Sequence, residues 1–261
     1  MVASGSVGTV SGMPLVTFEE FGPVAVITLN RPEARNAINP AMANAIEAAI
    51  DRLEGDANLR AGVLAATTTE PNPVFCAGND LRTIHGEPAG TPRGGFAGIV
   101  AYRRTKPIVA AVDGLATSGG CEVILSCDLV VASTRSAFAV AEIRWGLAPL
   151  AGGLIRLPGR LGRATAMDMI LTGQPISAER AFQLGLVSTL TDGDVRQVAR
   201  ERAELIAQFD AETIRINLQT AHRAATVNED ELWRLNDEAA DLIFNSPTFR
   251  EGVAAFERRK G

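Results

Sequence analysis

The chain has 261 residues, with 30 acidic side chains against 25 basic ones and a formal charge of −5 when both histidines are neutral. That length fits one globular domain, or one domain with a helical appendage, and 46% apolar against 21% charged residues excludes wholesale disorder. Lysine occurs only at Lys106 and Lys260 and no basic run is long enough to neutralise a phosphate backbone, which argues against nucleic acid as a partner; the two histidines, His85 and His222, stand in no metal-ligand spacing, which argues against a protein-built metal site.

Residues 1–13 have neither a basic residue nor an apolar block and read as a disordered leader, not a signal or transit peptide. Val24–Leu29 is a short β-rich run. Asn39-Pro40 then offers an N-cap followed by proline at the first helical position, and Met42, Ala45, Ile46, Ala49 and Leu53 recur at helical spacing until Gly55. A strand is expected over Ala61–Ala66, then a turn-rich stretch at 67–73, a short strand over Val74–Cys76, and a mobile loop over 83–98 that carries His85. Residues 107–112 are almost wholly apolar, as in a strand buried on both faces, and short strands are expected at 129–132 and 137–140.

Beyond Gly152 the pattern turns helical, at 164–171 and at 177–184, the latter with a Ser177 cap and Gly185 as terminator. Val195, Ala199, Ala203 and Ile206 mark one further stripe; Leu232, Leu235, Ala239 and Leu242 mark another, and Phe249, Val253 and Phe256 a third. The outline is an α/β core over 14–195 and a helical region over 196–261, whose apolar stripes need a core or a second subunit to cover them. Cys76, Cys121 and Cys127 are an odd number in apolar settings, which fits a reducing cytoplasm, and no apolar run approaches the roughly 20 residues of a membrane span.

Nucleotide fingerprints and a serine nucleophile elbow are both absent. Two glycine-bearing turns remain, Phe75-Cys-Ala-Gly-Asn-Asp-Leu81 and Asp113-Gly-Leu-Ala-Thr-Ser-Gly-Gly-Cys-Glu122. Each could leave a backbone N–H free, and two such groups aimed at one point form an oxyanion hole; the plainer reading of Gly119-Gly120 is steric relief before a helix, and of Asp80 a helix cap. Glu122 and Glu142 both lie in apolar sequence, where burial would raise a carboxyl toward the range useful for proton transfer. The plainer readings are a first-turn glutamate for Glu122 and a surface carboxylate paired with Arg144 or Arg156 for Glu142.

Six segments in order complete the pattern: residues 30–39 (NRPEARNAIN), 75–81 (FCAGNDL), 106–114 (KPIVAAVDG), 119–122 (GGCE), Ala141-Glu142, and 171–181 (LTGQPISAERA). This set closely resembles the crotonase, or enoyl-CoA hydratase/isomerase, superfamily over nearly the whole chain. The resemblance implies a crotonase-like spiral of ββα units with a C-terminal helical region for oligomerisation and active-site cover, assembled as a homotrimer or a dimer of trimers.

It implies an acyl-CoA thioester substrate and an enolate held by the N–H groups of Asn79 and Gly119. Glu122 becomes the base toward water and Glu142 the acid, which together make an enoyl-CoA hydratase. Arg35, Ala37, Ala77, Gly78, Asp80, Leu81 and Leu115 would contact the substrate's CoA portion and its surroundings, and Lys260 and His85 are further candidates. No metal or separate cofactor is implied, since CoA is part of the substrate. Asn79 replaces a small residue of the family pattern, Ser118 a glycine and Ala141 a proline, and residues 145–150 also differ, so the acyl group is the open variable. Isomerisation or carnitinyl-type dehydration is the alternative reaction, and a non-catalytic acyl-CoA-binding subunit the alternative of another class.

Overall fold

The computed structural model describes residues 9–10, 13–83, 86–224, 229–247 and 250–251. The bulk of the expected leader lies outside them; Thr9–Val10 pair with Met13–Pro14 in a short antiparallel ribbon. His85, Lys260, Phe249, Val253 and Phe256 also lie outside the described residues, as do the side chains of Leu232, Leu235 and Ala239.

Strands β1 (Val16–Phe21) and β2 (Val24–Leu29) form a hairpin. Helix α1 (Pro40–Gly55) starts where expected, with the Asn39 side chain accepting the Met42 N–H at 2.8 Å and Pro40 in the first turn, where its missing N–H is no loss. Three strand pairs follow: β3 (Ala61–Ala66) and β4 (Val74–Cys76), β5 (Ile108–Val112) and β6 (Leu115–Thr117), then, after helix α2 (Gly119–Leu125), β7 (Leu129–Ser133) and β8 (Ala137–Ala139). The first member of each pair enters one sheet and the second member the other, which produces the spiral. Helices α3 (Gly153–Leu161) and α4 (Arg163–Thr172), strand β9 (Ile176–Ser177), helix α5 (Ala178–Gln183), strand β10 (Thr189–Thr191) and helices α6 (Val195–Ala207), α7 (Ala211–Ala224) and α8 (Glu229–Phe244) complete the order.

The six-stranded sheet runs β10-β7-β5-β3-β2-β1 and the four-stranded sheet β9-β8-β6-β4, with only the β1/β2 and β8/β9 pairings antiparallel. Both faces of the larger sheet's central strands are covered, which is why β2, β3 and β5 read as nearly continuous apolar runs. On one face Ile27, Leu64 and Val112 meet Ile46 and Ile50 of α1 together with Phe75 and Phe138 of the smaller sheet. On the other, Val24, Val26, Val63, Val109 and Val131 are sealed by Val195, Ala199, Ala203 and Ala207 of α6. The first tail helix therefore closes the core.

The expected mobile loop at 83–98 is corrected over its second half. Gly90–Thr91 and Gly95–Phe96 form a ribbon, and α1 pins it: the Gly94 N–H donates to Glu47 at 2.9 Å, Arg93 pairs with Glu47 and Asp51, and the Tyr102 hydroxyl donates to Asp51 at 2.5 Å.

Candidate active site

Parallel pairing of β6 with both β4 and β8 brings the C-terminal ends of three strands to one edge, the usual place for a site in a parallel sheet. The turn after β4 is fixed by Ile38, whose N–H donates to the Gly78 carbonyl at 2.7 Å and whose carbonyl accepts the Asp80 N–H at 2.8 Å. The intervening Asn79 N–H faces the other way. Gly119 opens α2, where the first N–H groups have no partner within the helix. Neither the Asn79 nor the Gly119 N–H donates to an acceptor among the described residues.

The two turns approach so closely that a Cβ on Gly78, whose φ is +90°, would sit 2.8 Å from the Gly119 nitrogen. Gly119 in turn faces the Phe96 ring, which a Cβ there would meet at 2.6 Å. Around them opens a cavity of about 1870 Å³, lined by Asn79, Phe96, Gly119, Glu122, Glu142 and Trp145 among others, with α7 along one side.

Glu122 is 3% exposed and Glu142 8% exposed. Glu122 Oε1 accepts the Gly153 N–H at 2.9 Å, at the start of α3. Burial pushes its carboxyl up to about 7, with the Glu142 charge adding to the rise and the Gly153 and Ala151 N–H groups and Arg156 opposing it. Burial also raises Glu142, against the pull of its own N–H and the Ser118 hydroxyl. Glu142 Oε2 is buried with no hydrogen-bond partner among the described residues. The expected surface pairing of Glu142 with Arg144 or Arg156 is corrected: Arg144 donates to the Gly173 carbonyl at 2.9 Å and Arg156 to the Val100 carbonyl at 2.6 Å.

Of the remaining candidates, Ala77 and Leu81 line the same cavity, whereas Arg35, Ala37, Gly78, Asp80 and Leu115 do not. Asp80 caps no helix; a run of turns follows it, and it is buried in an ion pair with Arg31 at 2.7 Å. Arg35 is exposed, with φ of 55° just after the 3₁₀ turn Pro32–Ala34. Leu115 lies within β6 between Val74 and Ala137. Sequence reasoning missed Phe96, Gly153 and a cluster in which Arg104, bound to Asp128 at 2.7 Å, meets His222 of α7 through the same carboxylate.

Two free backbone donors beside two buried carboxyls that have no salt-bridge partner among the described residues make an arrangement that can exchange protons and hold a developing oxyanion. A family model described as Enoyl-CoA hydratase/isomerase matches residues 19–261, and the chain belongs to that family. Enoyl-CoA hydratase EchA19 of Mycobacterium tuberculosis is 30% identical, with 97% of each chain covered. A crystal structure of an enoyl-CoA hydratase from Mycobacterium tuberculosis superposes with a TM-score of 0.88 at 35% identity, covering 95% of this chain and 97% of that one. A carnitinyl-CoA hydratase from Mycobacterium avium superposes with a TM-score of 0.76 at 34% identity, covering 94% and 96%. The crotonase fold expected from the motifs is the fold observed.

Proposed function

We propose that the chain is an enoyl-CoA hydratase, adding water reversibly to a 2-enoyl-CoA thioester to give a 3-hydroxyacyl-CoA. The observation that carries this reading is the pair Glu122 and Glu142, both buried and both raised, beside two undonated N–H groups. The thioester oxygen accepts from Asn79 and Gly119, which draws electron density from the β-carbon and stabilises the enolate. Glu122 takes a proton from water as the oxygen bonds to the β-carbon, and Glu142 delivers a proton to the α-carbon. In the hydration direction Glu122 starts ionised and Glu142 protonated, so the pair carries one proton. A base near 7 suits transfer at neutral pH. The reverse sequence dehydrates the hydroxyacyl thioester.

The reaction draws on no separate cofactor, CoA being part of the substrate, and Ala77 and Leu81 border the path of the bound thioester. The three buried free thiols, Cys76, Cys121 and Cys127, fit a cytoplasmic setting. Among the described residues no helix is long and apolar enough to cross a membrane. Trp145, Leu150 and Ile155 expose an apolar surface beside the cavity, with Leu150 81% exposed, and this supports assembly as a trimer or a dimer of trimers. Light scattering should return three or six times the chain mass; a monomer refutes the assembly.

Crotonyl-CoA and longer 2-enoyl-CoAs should lose the ultraviolet absorbance of the conjugated thioester while gaining oxygen from isotopically labelled water. Conversion of 3-enoyl-CoA without label uptake would instead identify an isomerase. Binding of CoA esters without turnover of any would identify a non-catalytic subunit.

A further inference from the structure

Ser118 occupies a backbone conformation that serine adopts only under strain, with φ of 54° and ψ of −131°. Glycine takes this conformation freely. Such outliers persist where the surroundings enforce them, and they concentrate at functional sites. Here the strained residue immediately precedes one oxyanion donor, and its groups reach every part of the site. Its N–H donates to the Ala139 carbonyl at 2.9 Å, fixing the end of β8 from which the chain runs to Glu142. Its carbonyl accepts the N–H of Glu122 at 3.2 Å. Its Cβ packs against Gly78, where an added Cβ would lie only 2.9 Å away.

Glycine at 118 would supply the two backbone contacts with less strain, so they do not account for a side chain. The hydroxyl does. Ser118 lines the cavity together with Glu142, and its hydroxyl is the one neighbouring side-chain group that favours the carboxylate's charged form. It does not close to hydrogen-bond geometry, and Glu142 Oε2 has no hydrogen-bond partner among the described residues. Catalytic hydrogen bonds of this kind commonly close only when the reacting complex forms. The other charged or titratable groups near them are Glu122 and Cys121 of α2, Arg156 of α3 beside Glu122, and Arg144 two residues along from Glu142, which donates to the Gly173 carbonyl. None donates to Glu142.

We propose that Ser118 is a positioning residue for the hydration reaction: its hydroxyl orients Glu142 and donates to the carboxylate that forms as Glu142 gives its proton to the α-carbon. In the hydration direction the C–H bond forms as the carboxyl O–H breaks, and the Ser118 O–H···O⁻ contact stabilises the resulting anion without transferring its own proton. The hydroxyl thereby makes Glu142 a stronger acid than its apolar surroundings alone would allow. The inference rests on the reading of the chain as a hydratase for its rate effect, but its effect on Glu142 is separable from turnover.

The test compares Ser118→Gly, which removes hydroxyl and strain together, with Ser118→Ala, which removes the hydroxyl and keeps the strain. Carbon NMR of labelled glutamate carboxyls, assigned with Glu142→Gln, should show the Glu142 ionisation constant falling roughly three- to tenfold in both variants. Crotonyl-CoA hydration should lose about tenfold in kcat with KM little changed, and Ser118→Gly alone should melt higher than the wild type. An unmoved Glu142 titration overturns the proposal whether or not the protein turns over crotonyl-CoA. Shifted titrations in both variants, with a wild type that hydrates no enoyl-CoA, uphold the Ser118–Glu142 contact and overturn the hydratase reading alone. A wild-type rate in both variants of an active enzyme overturns the positioning role.

Discussion

Replacing Glu122 with glutamine should slow hydration by orders of magnitude and yet stabilise the protein at alkaline pH. The Glu122 carboxyl is almost wholly buried, and its pKa moves from 4.5 to about 7 on folding. At about 1.36 kcal/mol per tenfold change in ionisation, that displacement destabilises the ionised fold by about 3 kcal/mol. The sign follows from proton counting. Between 4.5 and about 7 the folded chain holds a proton that the unfolded chain has released, so stability falls as pH rises through that window and stays low above it. Glutamine keeps an oxygen for the Gly153 N–H and never ionises. The variant should therefore match the wild type near pH 4 and lead it by about 3 kcal/mol at pH 8, a gap of roughly 6–12 °C in Tm for a chain of this size. Differential scanning calorimetry across that range reads the gap directly, while the enoyl-CoA assay should show a loss of about 10²–10⁴ in kcat. A gap that does not change with pH, or a variant less stable than the wild type at pH 8, would refute a carboxyl held up by burial.

Gly78→Ala places a methyl group 2.8 Å from the Gly119 nitrogen at a backbone φ of +90°, so the two donors must separate. It should lower kcat by about a hundredfold, the effect of displacing one oxyanion donor, and calorimetry should still find CoA-ester binding; an unchanged kcat would remove these turns from the mechanism. Asp128→Ala leaves Arg104, which is 4% exposed, without its partner and should destabilise the fold by about 3–5 kcal/mol in urea titrations. Burial pushes Asp128 up, but its bonds to His222 and Arg104 outweigh this and set it near 2, so the pairing supports the fold above 3.8 and is lost as pH falls through about 2. An acid-melting curve for the alanine variant that keeps the wild-type shape between those values would contradict it.

The elements legible in the sequence were those whose burial follows a simple period or a cap. α1 was readable because Asn39-Pro40 and a one-sided apolar stripe agree, and β5 because both its faces are buried. α3 was missed: Pro158 and Gly159 within Gly153–Leu161 remove the usual helical signals, and packing overrides propensity there. The hold of Gly153 on Glu122 was invisible for the same reason, being one backbone N–H 31 residues away. The ribbon over Gly90–Phe96 was read as loose because glycine and proline dominate it; its order comes from Glu47 and Asp51 on a helix some 40 residues earlier.

The harder question for sequence alone was which buried acids do chemistry, because arginine stands near most of them. Asp80 and Glu142 each have arginine within two or three residues, at Arg82 and Arg144. The fold treats them oppositely. Asp80 is met by Arg31 from a distant turn and its carboxyl is held down despite burial, and Asp128 is held down by His222 and Arg104. Arg144 turns to the Gly173 carbonyl instead, leaving Glu142 without a cation, and Glu122 meets backbone N–H groups with only a weak opposing influence from Arg156. Pairing makes a buried acid a permanent anion that fixes structure. Burial without a cation raises it above the ordinary carboxylate range and so leaves it able to hold a proton, at a standing penalty to stability once ionised. The same separation explains why Glu122→Gln should strengthen the fold while Asp128→Ala should weaken it.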